Sequence, residues 1–494
     1  MRNQQLPLAK AVKWKGCVLT YGHFSTIHPG HIRYLRHARS LGDQLVVALI
    51  GDHNGNFAFS QQERGEALNL LGIADGVLML QSDELDDAIH KLQPSMLVLG
   101  NEYKDSPLIQ DTLDLQRKLG GSVQFHAGDV QYATTDLLKK SERDLLQRRK
   151  CDFHAACKRQ GLGQQQLLAA TKEWSSTRLI VLGDTIVDQY AACEAFGMSA
   201  EAPVIVVREL KQRDFIGGAA VVAAHIQALG AKCDLVSVVG NDNTAQLVKQ
   251  ELKRKSIGDA LTIDPSRPTT FKKRYMVENQ KLFRVSRLEQ HNLDAEIENK
   301  VINNLERLAP NAQGIVVSDF VYGVVTPRIL QVVERLSKTH NLLLFGDLQC
   351  SSQVGSVTRF QNFSLLCPNE REARLALQDK ESGLEHLSQR LLQETNSERL
   401  VMKVGTEGFI AYDGSNEGKI INQPFPALSV NPLDVAGAGD SLLALLATGL
   451  ASGQELMPSA ALACCMASLA VETMGNTPIS ADSLRKTVLE VMQA

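Results

Sequence analysis

Short apolar runs of strand length alternate with helix-like segments through most of the chain, and this alternation constrains the fold more than any other feature. In the first third, five such runs begin at Cys17, Gln44, Gly76, Ser95 and Ser122. A second series begins at Arg178 and continues to the VMKVG run. Continuous apolar strands separated by helices are typical of βαβ units with a parallel sheet covered on both faces. The sequence therefore predicts an α/β protein.

The two series are separated by residues 141–176, a charged, glutamine-rich and helix-prone stretch without a strand-like run. We interpret this stretch as a helical connector between an N-terminal unit, residues 1–140, and a C-terminal unit, residues 177–494. Inside the second unit, stretches of alternating polarity begin at Pro203 and Thr269. They predict a small β-sheet that projects from the main α/β body.

The composition favours small-molecule chemistry. The chain is 44% apolar and 22% charged, and its net charge of −3 is too small to suggest binding to nucleic acid or an anionic membrane. The N-terminus lacks the apolar core of a signal peptide, and the most apolar stretch, from Ala460, is too short to span a bilayer. Nine scattered cysteines form no C-x-x-C pair, so we expect reduced thiols and a cytoplasmic protein.

Two histidines, His28 and His31, flank a Pro-Gly pair where the first predicted strand passes into a helix. The free N–H groups of a helix start favour phosphate, and two imidazoles there could neutralise an α-phosphate and the departing pyrophosphate. This arrangement would serve nucleotidyl transfer. On these four residues alone, capping and solvation of the helix start is the other explanation.

The surrounding segment, GHFSTIHPGHIRYL, resembles the G-x-F-D-x-x-H-x-G-H signature of the cytidylyltransferase-like nucleotidyltransferases. It is most similar to the adenylyltransferase half of the bifunctional heptose-phosphate enzymes, over residues 15–140. The resemblance implies that His28 and His31 are catalytic and contact the nucleotide phosphates. It implies further nucleotide-binding residues at Gly22, Phe24, Gly30, Arg64, Thr134 and Thr135.

The N-terminal unit departs from this family at two positions. Ser25 stands where the family has an aspartate, and Leu99 stands where it has a lysine. The loss of one carboxylate and one cation leaves the choice of substrate open. It also leaves open whether this unit transfers nucleotides or only binds them.

A second constellation, DVAGAGD, runs from Asp434 to Asp440 and is followed by a long apolar helix. Consecutive N–H groups of Gly437, Ala438 and Gly439 at the helix start would form an anion hole. Asp440 would accept the proton of a sugar hydroxyl as that hydroxyl attacks the γ-phosphate of ATP. Glycine-rich packing with Asp440 as a helix cap is the alternative explanation.

This constellation is a signature of the ribokinase-like (PfkB) sugar kinases, which residues 177–494 resemble at six places in the same order. The resemblance implies that sugar is held by Asp188, Gly217 and Gly218. It also implies that Asn369 and Glu372 organise Mg²⁺ indirectly, and that Gly405 and Gly408 belong to the ATP loop. Several segments, among them RPTTFKKRY, are most similar to the heptose-phosphate kinase branch.

Three family positions differ in the second unit. Val221 replaces an asparagine, and Tyr322 and Gln349 replace lysines that would meet a phosphate on the sugar. Cations on the projecting sheet could replace that charge, and the candidates are Lys272, Arg274 and Arg284. These differences predict a related but altered substrate.

Together the two halves resemble the bifunctional heptose 7-phosphate kinase/heptose 1-phosphate adenylyltransferases in reversed order. The resemblance implies an enzyme that makes a nucleotide-activated sugar for surface polysaccharide, with ATP, Mg²⁺ and a second nucleoside triphosphate (ATP or CTP). It also implies a homodimer paired through the projecting sheets. Two alternatives stay open, a sugar kinase whose N-terminal unit only binds nucleotide or regulates, and a non-catalytic scaffold.

Overall fold

The chain is described by a computed structural model in which two compact units are distinguished. One comprises Met1–Lys139 with Gln378–Gln389, and the other comprises Lys140–Leu377 with Arg390–Ala494. The structure describes residues 4–7, 13–24, 29–52, 59–81, 84–100, 103, 109–125, 142–199, 201, 204–278, 280–349, 355–379, 382–415 and 420–493. Within these ranges, no helix combines the length and the apolarity needed to cross a membrane.

The first unit is built around a six-stranded sheet in the order β1-β4-β3-β2-β5-β6, in which every pair is parallel. Its strands are β1 (Gln4–Pro7), β2 (Val18–Gly22), β3 (Leu45–Leu49), β4 (Gly76–Met79), β5 (Met96–Leu99) and β6 (Ser122–Phe125). Its helices are α1 (Pro29–Ser40), α2 (Gln61–Leu71), α3 (Leu85–Leu92) and α4 (Gln110–Lys118). All five predicted strands are present. The short edge strand β1, which ends in Pro7, was not predicted because four residues carry no readable period.

The faces of this sheet are buried in two separate cores. Leu19, Val46 and Leu97 pack in one core, whereas their neighbours Val18, Val47 and Val98 pack in the other. Because successive side chains of a strand point to opposite faces, a sheet covered on both faces needs apolar residues at every position. This requirement explains the continuous apolar runs in the sequence.

The second unit contains a larger sheet and a smaller one. Its strands are β7 (Arg178–Gly183), β8 (Thr185–Met198), β9 (Ile205–Gly218), β10 (Lys232–Val239), β11 (Gly258–Ile263), β12 (Thr270–Val277), β13 (Gln280–Arg287), β14 (Gly314–Asp319), β15 (Leu343–Leu348), β16 (Leu365–Leu366), β17 (Arg399–Lys403), β18 (Phe409–Asp413) and β19 (Ile421–Phe425). The helices from residue 140 onward are α5 (Glu142–Arg159), α6 (Gln164–Ala170), α7 (Ala219–Ala228), α8 (Asn243–Arg254), α9 (Ala295–Leu308), α10 (Pro327–His340), α11 (Glu370–Leu377), α12 (Leu384–Thr395), α13 (Ala438–Ala451), α14 (Leu456–Val471) and α15 (Ala481–Met492).

The larger sheet has nine strands in the order β11-β10-β7-β14-β15-β16-β17-β18-β19. The strands from β11 to β17 are parallel, and β18 and β19 add two antiparallel strands at one edge. The smaller sheet has the order β13-β12-β8-β9. Strand β8 pairs antiparallel with β9 and parallel with β12. The predicted α/β architecture with a small additional sheet is therefore confirmed.

The segment interpreted as a connector forms α5 and α6, and both helices are packed elements of the second unit. Phe153 of α5 and Leu167 of α6 are fully buried in the main core of this unit, together with Trp174. The Phe153 ring lies 6.4 Å from the ring of Phe425 in β19, measured between centroids. The helical prediction agrees with the structure, and the few apolar residues of this charged segment pack into the core of the second unit.

Candidate active sites

The carboxyl ends of four parallel strands place charged side chains along one edge of the nine-stranded sheet. Asp184 follows β7, Asp319 ends β14, Asp347 lies near the end of β15, and Lys403 ends β17. Strand β7 lies between β10 and β14, so the chain order reverses at this point of the sheet. In open α/β sheets, ligands bind at this edge, near such a reversal. The geometry therefore favours a binding site here.

Helix α13 begins at this site with the Gly-Ala-Gly turn. Gly437 adopts a left-handed conformation with φ +82°, and a Cβ at this position would lie 2.6 Å from Oδ1 of Asn476. Both features require glycine. The turn leads directly into Ala438, the first residue of a 14-residue helix, whose initial N–H groups have no intrahelical partners. Such groups form the ordinary anion site of a helix N-terminus.

Asp440 lies in the first turn of α13, and its carboxylate is buried. Nε2 of Gln349 donates a hydrogen bond of 2.9 Å to its Oδ1. Burial, followed by the nearby Asp347 carboxylate, raises the pKa of Asp440 to about 7, while the Lys403 ammonium opposes the shift. A carboxylate with a pKa near neutrality is well matched to accept and return a proton.

A buried ion pair lies beside this turn. Nζ of Lys403 donates to both Oδ1 and Oδ2 of Asp347 at 2.8 Å. A Cβ on Gly439 would lie only 3.3 Å from Nζ of Lys403, so the ammonium directly adjoins the helix start. Burial lowers the pKa of Lys403, but the attraction of Asp347 outweighs it and holds the pKa above its ordinary value. Lys403 is therefore a cation next to the predicted anion hole.

The sequence did not single out Asp347 or Lys403 as site residues. The sequence signal that could have identified them is their position at the end of a predicted strand, because Asp347 ends the LLFGD run and Lys403 ends the VMK run. Charged residues at the carboxyl ends of parallel strands are candidates for ligand binding.

The predicted sugar carboxylate, Asp188, lies in β8 against the glycine pair. A Cβ on Gly217 would lie 2.5 Å from Oδ2 of Asp188, so only glycine leaves room for this carboxylate. The Nδ2 atom of Asn476 donates to the same oxygen at 3.0 Å, and Arg274 donates to the other. Gly218 has φ +60°. Because Asn476 lies between Asp188 and the Gly437 turn, the structure brings these predicted residues together.

Asn369 and Glu372 form a reciprocal cap at the start of α11. The backbone N of Asn369 donates to Oε2 of Glu372 at 2.8 Å, and the backbone N of Glu372 donates to Oδ1 of Asn369 at 2.9 Å. Asn369 also bridges to Lys403 in β17, which brings this cap to the same edge of the sheet. The charge of Glu372 contributes to the raised pKa of Lys403.

The predicted ATP loop is the turn between β17 and β18. Gly405 and Gly408 have φ values of +66° and +106°, and a Cβ on Gly408 would lie 2.1 Å from the backbone O of Phe425. Arg149 of α5 donates to the backbone O of Thr406 at 3.2 Å and to the backbone O of Ser429. A helix outside the predicted kinase region thus supports the loop.

Of the three positions that depart from the family, Val221 and Tyr322 are buried and Gln349 is partly buried. Val221 packs in α7, Tyr322 is buried at the sheet edge, and Gln349 donates to Asp440. Among the candidate replacement cations, Nζ of Lys272 lies 5.2 Å from the ring centroid of Tyr322, and Lys272 is only 4% exposed. Arg274 is paired with Asp188, as described above.

Arg284 is the third candidate cation, and it differs from the other two in its surroundings. It lies in β13, directly opposite Arg274 in the register of the smaller sheet, and it is exposed.

The first unit places four predicted residues at or after the carboxyl end of β2, which lies between β3 and β5 where the strand order reverses. Gly22 ends β2, and a Cβ there would lie 3.2 Å from Cε2 of Phe24. Phe24 is buried with φ +47°, and its ring centroid lies 5.1 Å from that of His31 in the first turn of α1. Gly30 is the second residue of α1. This edge is the expected binding crevice of the unit.

Arg64 is buried, and its guanidinium is hydrogen-bonded to protein atoms. It donates to the backbone O atoms of His23, Ile50 and Phe59 and to Oδ1 of Asp52, which lies 2.7 Å away. These contacts tie the ends of β2 and β3 to the start of α2. The sequence suggested direct nucleotide contact for Arg64, and the geometry favours a role in holding the surrounding loops.

The remaining predicted residues of this unit, His28, Thr134 and Thr135, lie outside the described residues, as does Ser25. Leu99 ends β5 and is fully buried in one of the two cores.

Comparisons with known proteins match each of the two regions to a family model. The model of the pfkB family carbohydrate kinases matches residues 176–482, and the cytidylyltransferase-like model matches residues 19–181. The predicted order, with the transferase-like region first, is confirmed. The second match extends through α5 and α6, beyond the expected boundary at residue 140.

Curated relatives include two proteins named bifunctional protein HldE. That of Campylobacter jejuni is 32% identical over 312 residues, which are 62% of this chain and 64% of the relative. That of Trichlorobacter lovleyi is 31% identical over 311 residues, 62% of each protein. The chain thus spans less than two thirds of the length of these relatives.

Solved structures resemble the chain in fold. Phosphofructokinase-2 from Escherichia coli, in complex with substrates and products, superimposes with a TM-score of 0.53 at 15% identity, covering 64% of this chain and 99% of that one. A ribokinase-related protein from Agrobacterium tumefaciens gives a TM-score of 0.52 at 13% identity with the same coverage. The kinase model covers more than half of the chain and includes the Asp440 turn, the Gly217 pair and the predicted ATP loop. The chain therefore belongs to the pfkB family of carbohydrate kinases.

Proposed function

We propose that the protein is a bifunctional enzyme that makes a nucleotide-activated sugar for surface polysaccharide. The second unit phosphorylates a hydroxyl of a heptose-like sugar phosphate with ATP. The first unit couples a sugar phosphate to a nucleotide and releases pyrophosphate. The observation that carries the kinase assignment is the buried carboxylate of Asp440 at the start of α13, beside the Lys403–Asp347 ion pair.

In the proposed kinase reaction, Asp188 orients the sugar and Asp440 accepts the proton of the attacking hydroxyl. The hydroxyl oxygen forms a bond to the γ-phosphorus of ATP, the bond between that phosphorus and the β,γ-bridging oxygen breaks, and ADP leaves. Because this reaction depends on positioning and charge stabilisation, the N–H groups of Gly437 to Gly439 and the Lys403 ammonium supply the main catalytic effect.

Asn369 and Glu372 fit an indirect magnesium site. Amide and carboxylate oxygens are the ligands that Mg²⁺ prefers, and Mg²⁺ usually keeps several waters while it bridges substrate phosphates. The cap of α11 engages Oε2 of Glu372 and the single side-chain oxygen of Asn369, and it holds the pair near Lys403. When bound, Mg²⁺ would neutralise charge on the phosphates of ATP.

Lys272 is the proposed anchor for a phosphate on the sugar. It would supply the positive charge that the family has as lysines at the positions of Tyr322 and Gln349. Its Nζ lies 5.2 Å from the ring centroids of both Phe320 and Tyr322, and these rings hold a buried ammonium in place. Arg274 is less suited to this role because its guanidinium is engaged by Asp188.

In the first unit, His28 and His31 are the proposed catalytic histidines, and the second nucleoside triphosphate is ATP or CTP. Arg64 is assigned a positioning role, since its donors hold the strand ends around His31. Gly22 and Phe24 line the crevice, and Thr134 and Thr135 bind phosphate. A unit that binds nucleotide without transferring it is the alternative.

A homodimer is proposed through the smaller sheet. Its outer part exposes a set of large apolar side chains, namely Phe196, Met198, Val204, Ile205, Val206, Leu210, Phe283 and Val285. Large apolar side chains exposed in number on one sheet are typical of an interface. Analytical ultracentrifugation would measure a dimer for the wild type, and a charged substitution at Phe283 should shift the population to monomer.

The kinase is tested by ADP release in the presence of ATP and a panel of sugars and sugar phosphates. Asp440→Asn keeps the size of the side chain but removes the proton acceptor, so kcat should fall by about 10²-fold or more. The matched control is Asp259→Asn, because Asp259 is exposed and accepts a local hydrogen bond from the backbone N of Leu261. Undiminished phosphorylation by Asp440→Asn would refute the assignment.

Pyrophosphate release, assayed in parallel, decides whether the first unit transfers nucleotides.

A further inference from the structure

A second buried carboxylate lies at the base of the Gly-Ala-Gly turn. Asp434 is 4% exposed and accepts four hydrogen bonds. Two come from backbone N atoms, Ala436 at 3.1 Å and Gly475 at 3.3 Å. The other two come from side chains, Oη of Tyr190 at 2.6 Å and Nζ of Lys281 at 2.8 Å. Asp434 therefore fixes the beginning of the turn that leads into α13.

This carboxylate creates an electrostatic problem for phosphoryl transfer. It lies only three residues before Gly437, where the proposed anion hole begins. Burial raises the pKa of Asp434, but the hydrogen bonds from Lys281 and Tyr190 outweigh it and hold the pKa below its usual value. A buried negative charge beside an anion site repels the anion unless a cation compensates it.

Lys281 supplies that cation from a different part of the unit. It lies in β13 and Tyr190 lies in β8, so both side chains come from the smaller sheet. The same sheet carries Asp188 in β8 and Arg274 in β12. The guanidinium carbon of Arg274 lies 5.2 Å from the centroid of the Tyr190 ring. The smaller sheet thus carries Asp188 and also contacts Asp434, at the base of the Gly-Ala-Gly turn, through Tyr190 and Lys281.

Asn476 adds a second connection between these two places. Its Nδ2 donates to Asp188, and its Oδ1 lies 2.6 Å from the position that a Cβ of Gly437 would occupy. A change in the Gly-Ala-Gly turn would therefore alter the position of Asp188 through Asn476. A displacement of the smaller sheet would in the same way alter the turn.

We propose that Lys281 is a positioning residue for phosphoryl transfer, which neutralises Asp434 and, with Tyr190, holds the turn from Asp434 to Gly439 so that its N–H groups face the transferring phosphoryl group. This inference rests on the proposed kinase activity. Lys281 acts through the turn, so its loss should reduce kcat and leave the KM of the sugar unchanged. Removal of one direct donor from an oxyanion hole costs about 10²–10³-fold, and an indirect effect should be smaller, about 10-fold.

The test compares Lys281→Met with Lys273→Met in the full chain, assayed for ADP release with the accepted sugar. Lys273 lies in the neighbouring strand β12 and pairs with the exposed Glu209, Nζ to Oε2 at 2.7 Å, so it is a matched control. We expect kcat to fall about 10-fold in Lys281→Met only, and Lys281→Arg to restore most of it, because the arginine keeps the charge.

A double variant separates charge compensation from packing. If Lys281 acts by neutralising Asp434, then Asp434→Asn in the Lys281→Met background should recover part of the lost kcat, since the uncompensated charge is gone while an amide oxygen can still accept the Ala436 N–H. A purely structural role predicts no recovery.

Three outcomes would overturn the inference. They are a kcat of Lys281→Met within about twofold of wild type, an equal loss in Lys273→Met, and a double variant no faster than the single one. Wild-type protein that phosphorylates no sugar would instead overturn the proposed function, and the inference with it. Thermal unfolding of each variant verifies that the measured protein is folded.

Discussion

At the scale of single residues, the chemistry of the kinase site depends on the surroundings of Asp440. An exposed aspartate is a weak base at neutral pH because its pKa is near 4. Burial and the neighbouring Asp347 raise the pKa of Asp440 to about 7, whereas Lys403 and the hydrogen bond from Gln349 limit the rise. The carboxylate is therefore a better base than an exposed aspartate, yet at neutral pH it is still ionised in a large fraction of molecules.

This balance predicts the pH dependence of sugar phosphorylation. Asp440 must be ionised to accept the proton, so kcat/KM should fall as the pH drops through about 7. Gln349→Leu removes a hydrogen bond that stabilises the ionised form, and the acidic limb should then move to higher pH. Initial rates of ADP release across the pH range measure both profiles. A wild-type profile that is flat through neutral pH, or an unshifted limb in the variant, would contradict the assigned base.

At the scale of secondary-structure elements, α5 shows how a helix rich in charged residues can pack against a hydrophobic core through a few apolar side chains. Its buried face packs on the edge strand β19, where Arg159 also donates to Oε1 of Gln423 at 3.2 Å. A helix over an edge strand covers unpaired backbone groups that would otherwise invite association. The same helix carries Arg149, which donates to the carbonyl of Thr406 in the proposed ATP loop. The stability of the core and the proposed nucleotide site therefore depend on the same helix.

The packing of α5 leads to a stability prediction. Phe153→Ala should lower the free energy of unfolding of the second unit by about 3–5 kcal/mol, because it leaves a cavity in a fully buried aromatic position. The chain has two tryptophans, so Trp14→Phe leaves buried Trp174 as a fluorescent reporter of this unit in urea. Leu146→Ala, at an exposed position of the same helix, is the control and should change stability by less than about 0.5 kcal/mol. Equal losses in both variants would show that α5 is not a core element.

At the scale of the whole molecule, each unit has its own parallel sheet and its own buried core. Each also matches a different family model, one cytidylyltransferase-like and one pfkB. A unit with a complete core and a site at its own sheet edge contains what its reaction needs. The two proposed activities should therefore be separable.

Separate single substitutions test this independence. His31→Ala should abolish pyrophosphate release and leave the rate of sugar phosphorylation unchanged, whereas Asp440→Asn should do the opposite. Both products are measured on the same preparations of the full chain. If either variant lost both activities while remaining folded, the two sites would be coupled, and the assignment of one activity to each unit would be wrong.

Features that depend on neighbours in the chain could be predicted from the sequence. The strands, the Gly-Ala-Gly turn before Asp440, and the glycine pair at Gly217 and Gly218 are of this kind, since they follow from local periodicity and backbone freedom. The edge strand β1 and the packing of α5 could not be predicted in this way, because four residues or a few apolar side chains carry too little pattern.

The sequence by itself determined the α/β class, the order of the two regions and the motifs that mark their sites. Only the tertiary structure decided which distant groups meet there. Asp440 meets Gln349, which is 91 residues away, and Asp188 meets Asn476, which is 288 residues away. Asp434 meets Lys281 in the same manner. The physical reason is that the pKa of a buried carboxylate and the charge of an anion site are set by whatever packs against them, and packing brings together residues that no local pattern connects.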